Sequence, residues 1–195
     1  NFGRSLSFWK AHYPKLQELF PELKVVSLSE FHRALNTVAP SLIRIEADEV
    51  TYPLHIMVRY EMEKYIMSED YDINELPKLW ADKYEEYLGI RPETDSEGIL
   101  QDVHWSDGLF GYFPSYALGS AYAAQFEHYL RESLDLDSLL EQGQMQEILT
   151  WLGERIHTFG STKTPAEIIK FATGEDFNPT YFIEYLEKKY SHLYF

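Results

Sequence analysis

The sequence predicts a mainly α fold, a multi-helix domain over residues 1–195 with at most a small β element near residues 42–47. Three observations predict it. Apolar residues recur at helical spacing along most of the chain. Ser, Thr or Asn followed by Pro or an acidic residue marks several helix starts. A single stretch, "SLIRIEA", alternates like a strand.

The elements follow in order. Ser5 to Phe20 carries Phe8, Trp9, His12, Tyr13, Leu16 and Phe20 on one stripe, and "PELK" at 21–24 breaks it. A capping box from Ser27 or Ser29 opens a short helix that reaches about Val38. Pro40 ends that segment, and Leu42, Ile43 and Ile45 then alternate with charged residues, which would put Arg44, Glu46 and Asp48 on one face. Asp48 can cap a long helix to about Met67. Pro53 lies inside that pattern, so the helix either starts late or kinks. Glu75–Tyr87 reads as helix, "LGIRPETDSEG" as loop, and Phe110–Leu134 as a long helix. Ala117, Gly119, Ala121, Ala123 and Ala124 on it suggest close helix–helix approach. Leu139–Phe159, Thr164–Thr173 and Pro179 to the C-terminus complete the set, with no internal repeat.

Composition narrows the function. A net charge of -15 opposes binding to nucleic acid or to an anionic membrane face. The chain has no cysteine, so it can form neither a disulfide framework nor a Cys-based zinc site; this is compatible with the cytoplasmic location expected of it. Fifteen Tyr beside twelve Phe point to many half-buried rings with a polar tip.

Two stretches concentrate chemistry. In "GILQDVHWSDGLFGYFPSYALG", His104 stands between Asp102 and Trp105, ahead of a glycine turn. One reading is structural, with Gln101, Asp102 and His104 satisfying loop backbone. The other is catalytic: His104 donates to a developing oxyanion, Asp102 or Gln101 fixes its ring, and Tyr112 supplies a second donor. In "IRIEAD", Arg44 either joins a carboxylate network at a helix start or presents its guanidinium to a ligand carboxylate. The other six histidines are scattered, without H-E-x-x-H spacing, and read as surface or interfacial. Ser106 and Ser115 lie outside any nucleophile-elbow context, which leaves little for a serine hydrolase.

"IRIEAD" at 43–48 and "GILQDVHW" at 98–105 resemble I-R-x-x-A-D and G-x-x-Q-D-x-H-W, signature motifs of the carboxypeptidase Taq family of zinc metallocarboxypeptidases. "NFGRSLSFW" at 1–9, "EADEVTYPLHI" at 46–56 and "GYFPSYALGSAYAAQ" at 111–125 extend the resemblance to essentially the whole chain, in family order. The family's H-E-x-x-H and H-E-S zinc motifs are missing, as are H-P-F and D-x-R-x-T. The chain therefore looks like the C-terminal part of such an enzyme. The resemblance implies a mostly helical fold, removal of C-terminal residues from peptides with broad specificity, zinc held by ligands upstream of this chain, and a homodimer. Carried onto this sequence, it makes Arg44 the grip on the terminal carboxylate. His104 and Tyr112 become transition-state stabilisers, with Tyr116 a weaker alternative to Tyr112. Gln101 and Asp102 orient these groups or the substrate, Asp48 orders Arg44, and Trp105 supports the loop. The competing expectation is a non-catalytic helical interaction or regulatory module that keeps the fold.

Overall fold

The computed structural model describes residues 1–68 and 70–195. Its helices are α1 (Leu6–Leu19), α2 (Leu28–Leu35), α3 (Tyr52–Ile66), α4 (Leu76–Leu88), α5 (Pro114–Ser133), α6 (Leu136–Glu141), α7 (Gln146–Arg155), α8 (Pro165–Thr173) and α9 (Thr180–Tyr194). Among the described residues no β-strand forms, and no helix is long and apolar enough to cross a membrane.

Local chemistry sets most helix ends. The Ser5 hydroxyl accepts from the Phe8 amide, and Ser27 with Glu30 and Thr164 with Glu167 form complete capping boxes. Pro53 falls in the first turn of α3, where a missing N–H costs nothing, so the helix starts late rather than kinking. The α2 helix stops short of Val38 because the buried Asn36 turns its amide back onto the carbonyls of His32 and Arg4. Pro114 likewise delays the start of α5 from Phe110.

Three expectations are corrected. Residues 42–47 form no strand; Arg44–Glu46 is a 3-10 turn. A lone strand has no ladder to satisfy its backbone. Here the Arg44 amide donates to the Gln101 side chain instead, while Ile45 lies 75% exposed. Glu46 is exposed as well, so it shares no face with Arg44 and Asp48, which are buried. The helix expected over Leu139–Phe159 is two helices, α6 and α7, divided where Gly143 adopts φ +67, a conformation that disfavours a side chain. Of the small residues on α5, only Ala121 and Ala124 are buried; Gly119 is exposed, and a Cβ there would meet nothing within 4 Å.

The contacts group into two compact units, residues 1–36 with 120–195, and residues 37–119. The first is built around Leu130, Leu136, Leu139, Leu140, Ile148, Trp151 and Ala172, with Phe2 and Phe8 packed against them. The second is built on α3 and α4 around Val58, Met62, Trp80, Tyr84 and Leu88. At about 1.5–3 kcal/mol for each large side chain withdrawn from water, these five stabilise the second unit's floor. Trp80 stacks on Tyr84 at 5.2 Å and meets Trp105 edge-on at 5.9 Å. Gly98 lets the 98–113 segment close down on this floor, since a Cβ there would lie 3.1 Å from the Thr94 carbonyl and 3.5 Å from the Trp80 ring.

Candidate functional site

The polar residues of the second unit converge above the α3–α4 floor. At the centre is Asp102, held between two arginines. Its Oδ1 accepts from Arg44 Nε at 3.1 Å and Nη2 at 2.7 Å. Its Oδ2 accepts from Arg59 Nε at 2.7 Å and lies 2.6 Å from Arg59 Nη2. Burial by itself would raise the Asp102 pKa; the hydrogen bonds from Arg44 and the charge and hydrogen bonds of Arg59 outweigh it and hold the carboxyl below its usual range.

Gln101 ties the same parts together through its amide. Its Oε1 accepts from the Arg44 backbone amide at 3.0 Å and from Arg59 Nη2 at 2.8 Å. Its Nε2 faces the carbonyls of Leu42, Glu97 and Gly98 and the Tyr84 hydroxyl. Arg59 Nη1 donates to the His55 carbonyl at 2.8 Å and to Tyr84 Oη at 3.2 Å, and its guanidinium lies 4.7 Å over the Trp80 ring. Tyr84 thus accepts from Arg59 and Gln101, which leaves its own O–H to donate to His55 Nδ1 at 3.0 Å. His55 is fully buried, and burial, reinforced by Arg59 and Arg44, lowers its pKa to about 4.

Arg44 is 6% exposed. Besides Asp102 it donates from Nη1 to the Tyr52 hydroxyl at 3.0 Å, and its guanidinium lies 4.9 Å over the Tyr116 ring. Three of the five N–H groups of a guanidinium are thereby engaged, and two are left for another acceptor.

His104 packs on Phe113 at 4.3 Å, and its Nε2 lies 2.9 Å from Tyr116 Oη. Its Nδ1 is buried without a hydrogen-bond partner and stands 4.0 Å from Asp102 Oδ1, too far for a bond. Asp102 is therefore spent on the arginines and does not fix the imidazole. Tyr112, expected beside His104, is 49% exposed with its ring centre 5.9 Å away; the phenol that reaches the imidazole is Tyr116. Asp48 does not order Arg44 directly. It accepts from the amides of Ala39, Val50 and Thr51 and from the Thr51 hydroxyl, closing the loop that leads into α3. Trp105 donates to Glu63 at 3.0 Å and lies among Trp80, Phe110 and Phe113, which fixes the loop that carries His104.

Sequence reasoning brought Arg44, Gln101, Asp102, His104 and Tyr116 to one site, but it missed Arg59, Tyr84 and His55. A signal existed for Arg59: it sits on a helical stripe with His55, Ile56, Val58 and Met62, all buried, where a solvated charge has no place.

Among the described residues no group of three or more His, Cys, Asp or Glu is arranged to hold a metal ion. The residues present therefore do not fit a zinc centre by themselves, and no chemical step through zinc is derived from them.

The chain's relatives agree with this architecture. The family model for the carboxypeptidase Taq (M32) metallopeptidases matches residues 1–190. Carboxypeptidase 1 of Bacillus subtilis (strain 168) is 55% identical over 194 residues, covering 98% of this chain and 39% of that protein. Thermostable carboxypeptidase 1 of Thermus thermophilus is 47% identical over 193 residues, 98% of this chain and 38% of that protein. The crystal structure of the M32 carboxypeptidase from Deinococcus radiodurans R1 superposes with a TM-score of 0.94 at 37% identity, over 98% of this chain and 39% of that one. The chain thus spans about two-fifths of the length of the relatives it matches. On its sequence and on its fold, it belongs to the carboxypeptidase Taq (M32) metallopeptidase family.

Proposed function

We propose that this chain is the substrate-binding part of a metal-dependent carboxypeptidase that removes C-terminal amino acids from peptides with broad specificity. In this reading the zinc ligands are supplied upstream of the chain, and the whole enzyme is a cytoplasmic homodimer. The observation that carries the reading is Arg44: a nearly buried guanidinium held by Asp102 and Tyr52, with two N–H groups to spare. An exopeptidase must recognise a terminal carboxylate, and a planar donor fork fixed in advance does so at little entropic cost.

The other roles follow from contact. Gln101 and Asp102 orient Arg44. His104 Nε2 and Tyr116 Oη, 2.9 Å apart, share one hydrogen bond, so with the imidazole donating from Nε2 the Tyr116 O–H is the one donor the pair can offer an oxyanion. Tyr112, being exposed, would reach the substrate only at the rim.

The test has two arms. The purified chain, titrated with an N-blocked dipeptide, should bind the free acid more tightly than the C-terminal amide, and Arg44→Met should abolish the difference. The same chain should hold no stoichiometric zinc and should not hydrolyse the dipeptide. Equal binding of acid and amide would refute Arg44 as the carboxylate grip, and robust hydrolysis would refute the division of the site.

A further inference from the structure

We propose that Arg59 is a positioning residue for carboxylate recognition: it takes one oxygen of Asp102 so that Arg44 keeps a net positive charge for the ligand. This rests on the reading of Arg44 as the group that binds the carboxylate.

Arg44 and Arg59 both pair with Asp102, two cations on one anion, so the triad carries one positive charge in excess. The other buried carboxylates nearby, Asp48 and Glu63, stand outside the triad. Asp48 spends its oxygens on Ala39, Val50 and Thr51, Glu63 receives Trp105, and neither forms an ion pair with either arginine. The local excess sits on buried guanidinium groups, and a carboxylate arriving on Arg44 would pair with it directly. Arg59 cannot itself touch that ligand. It is fully buried, and each of its three guanidinium nitrogens is directed at a protein acceptor: Nε at Asp102, Nη1 at His55 and Tyr84, Nη2 at Gln101 and Asp102. Its effect on the ligand is relayed. With Arg59 present, Asp102 divides its charge between two guanidinium groups. Without it, the whole carboxylate would fall to Arg44, and the pair would be neutral toward the substrate.

The experiment compares the full chain with its Arg59→Met and Arg59→Lys variants, each titrated by NMR with an N-blocked dipeptide as free acid and as amide. Arg59→Met should lower the acid-to-amide affinity ratio about tenfold, the size of one charge-assisted hydrogen bond. Arg59→Lys keeps the charge and should restore most of the ratio. A merely structural Arg59 would weaken both ligands alike and leave the ratio unmoved, and that result overturns the proposal. Should Arg59→Met fail to fold, the wild-type chain decides: the Arg59 Nε–H resonance should shift with the acid and not with the amide, and a silent Arg59 beside a responding Arg44 overturns the proposal. If the wild type itself shows no preference for the acid, the Arg44 reading fails first, an outcome distinct from a preference that survives Arg59→Met.

Discussion

Acidification from pH 7 to pH 4 should destabilise this protein through His55. The imidazole is fully buried, receives the Tyr84 hydroxyl at Nδ1 and lies near the Arg59 guanidinium. Burial and the two arginines hold its native pKa at about 4, against 6.5 for the free side chain. Between those values the unfolded chain takes a proton that the native chain refuses. Stability therefore rises with pH through the window and is lost as pH falls from 6.5 toward 4. The displacement corresponds to about 3 kcal/mol at 1.36 kcal/mol per pKa unit. The assay is urea unfolding at stepped pH for the wild type and for His55→Asn, whose Oδ1 stands where Nδ1 accepts the Tyr84 hydroxyl. Surface carboxylates titrate equally in both proteins, so the difference between the two curves isolates His55. The wild type should lose about 3 kcal/mol more than the variant across the window. Parallel curves would show that His55 either charges freely in the native state or is not buried as described, and would refute the reasoning.

Asp102→Asn should cost about 3–5 kcal/mol of folding stability, because it leaves two buried guanidinium groups without their counter-charge; a loss under about 1 kcal/mol in chemical denaturation would contradict the shared ion pair. Tyr116→Phe should move the His104 imidazole nitrogen resonances and Tyr112→Phe should not, since only Tyr116 reaches Nε2; the reverse pattern would restore Tyr112 as the partner.

The parts legible in the sequence share a physical origin. Ser27 with Glu30 and Thr164 with Glu167 announce helix starts three residues apart, because capping is settled within one turn. The stripe of α1 announces the face that carries the buried Tyr13 for the same local reason. Gln101, Asp102 and His104 stood out in the sequence because such polar groups so close to aromatic and glycine residues are unusual for a core segment. Where local preference met a nonlocal demand, the sequence misled. The alternation of residues 42–47 suggested a strand, yet the Arg44 amide found its acceptor 57 residues away in Gln101.

By itself, then, the sequence determined the helical class, most helix boundaries and the two motifs. The tertiary structure alone decided what those motifs do to one another: that Asp102 serves two arginines rather than His104, that Tyr116 rather than Tyr112 meets the imidazole, and that Arg59 belongs to the site. The reason is that a carboxylate, a guanidinium or a phenol has several equally suitable partners within reach of an unfolded chain. Packing on the Trp80–Tyr84 floor selects among them by distance, and burial then makes each selection costly to undo.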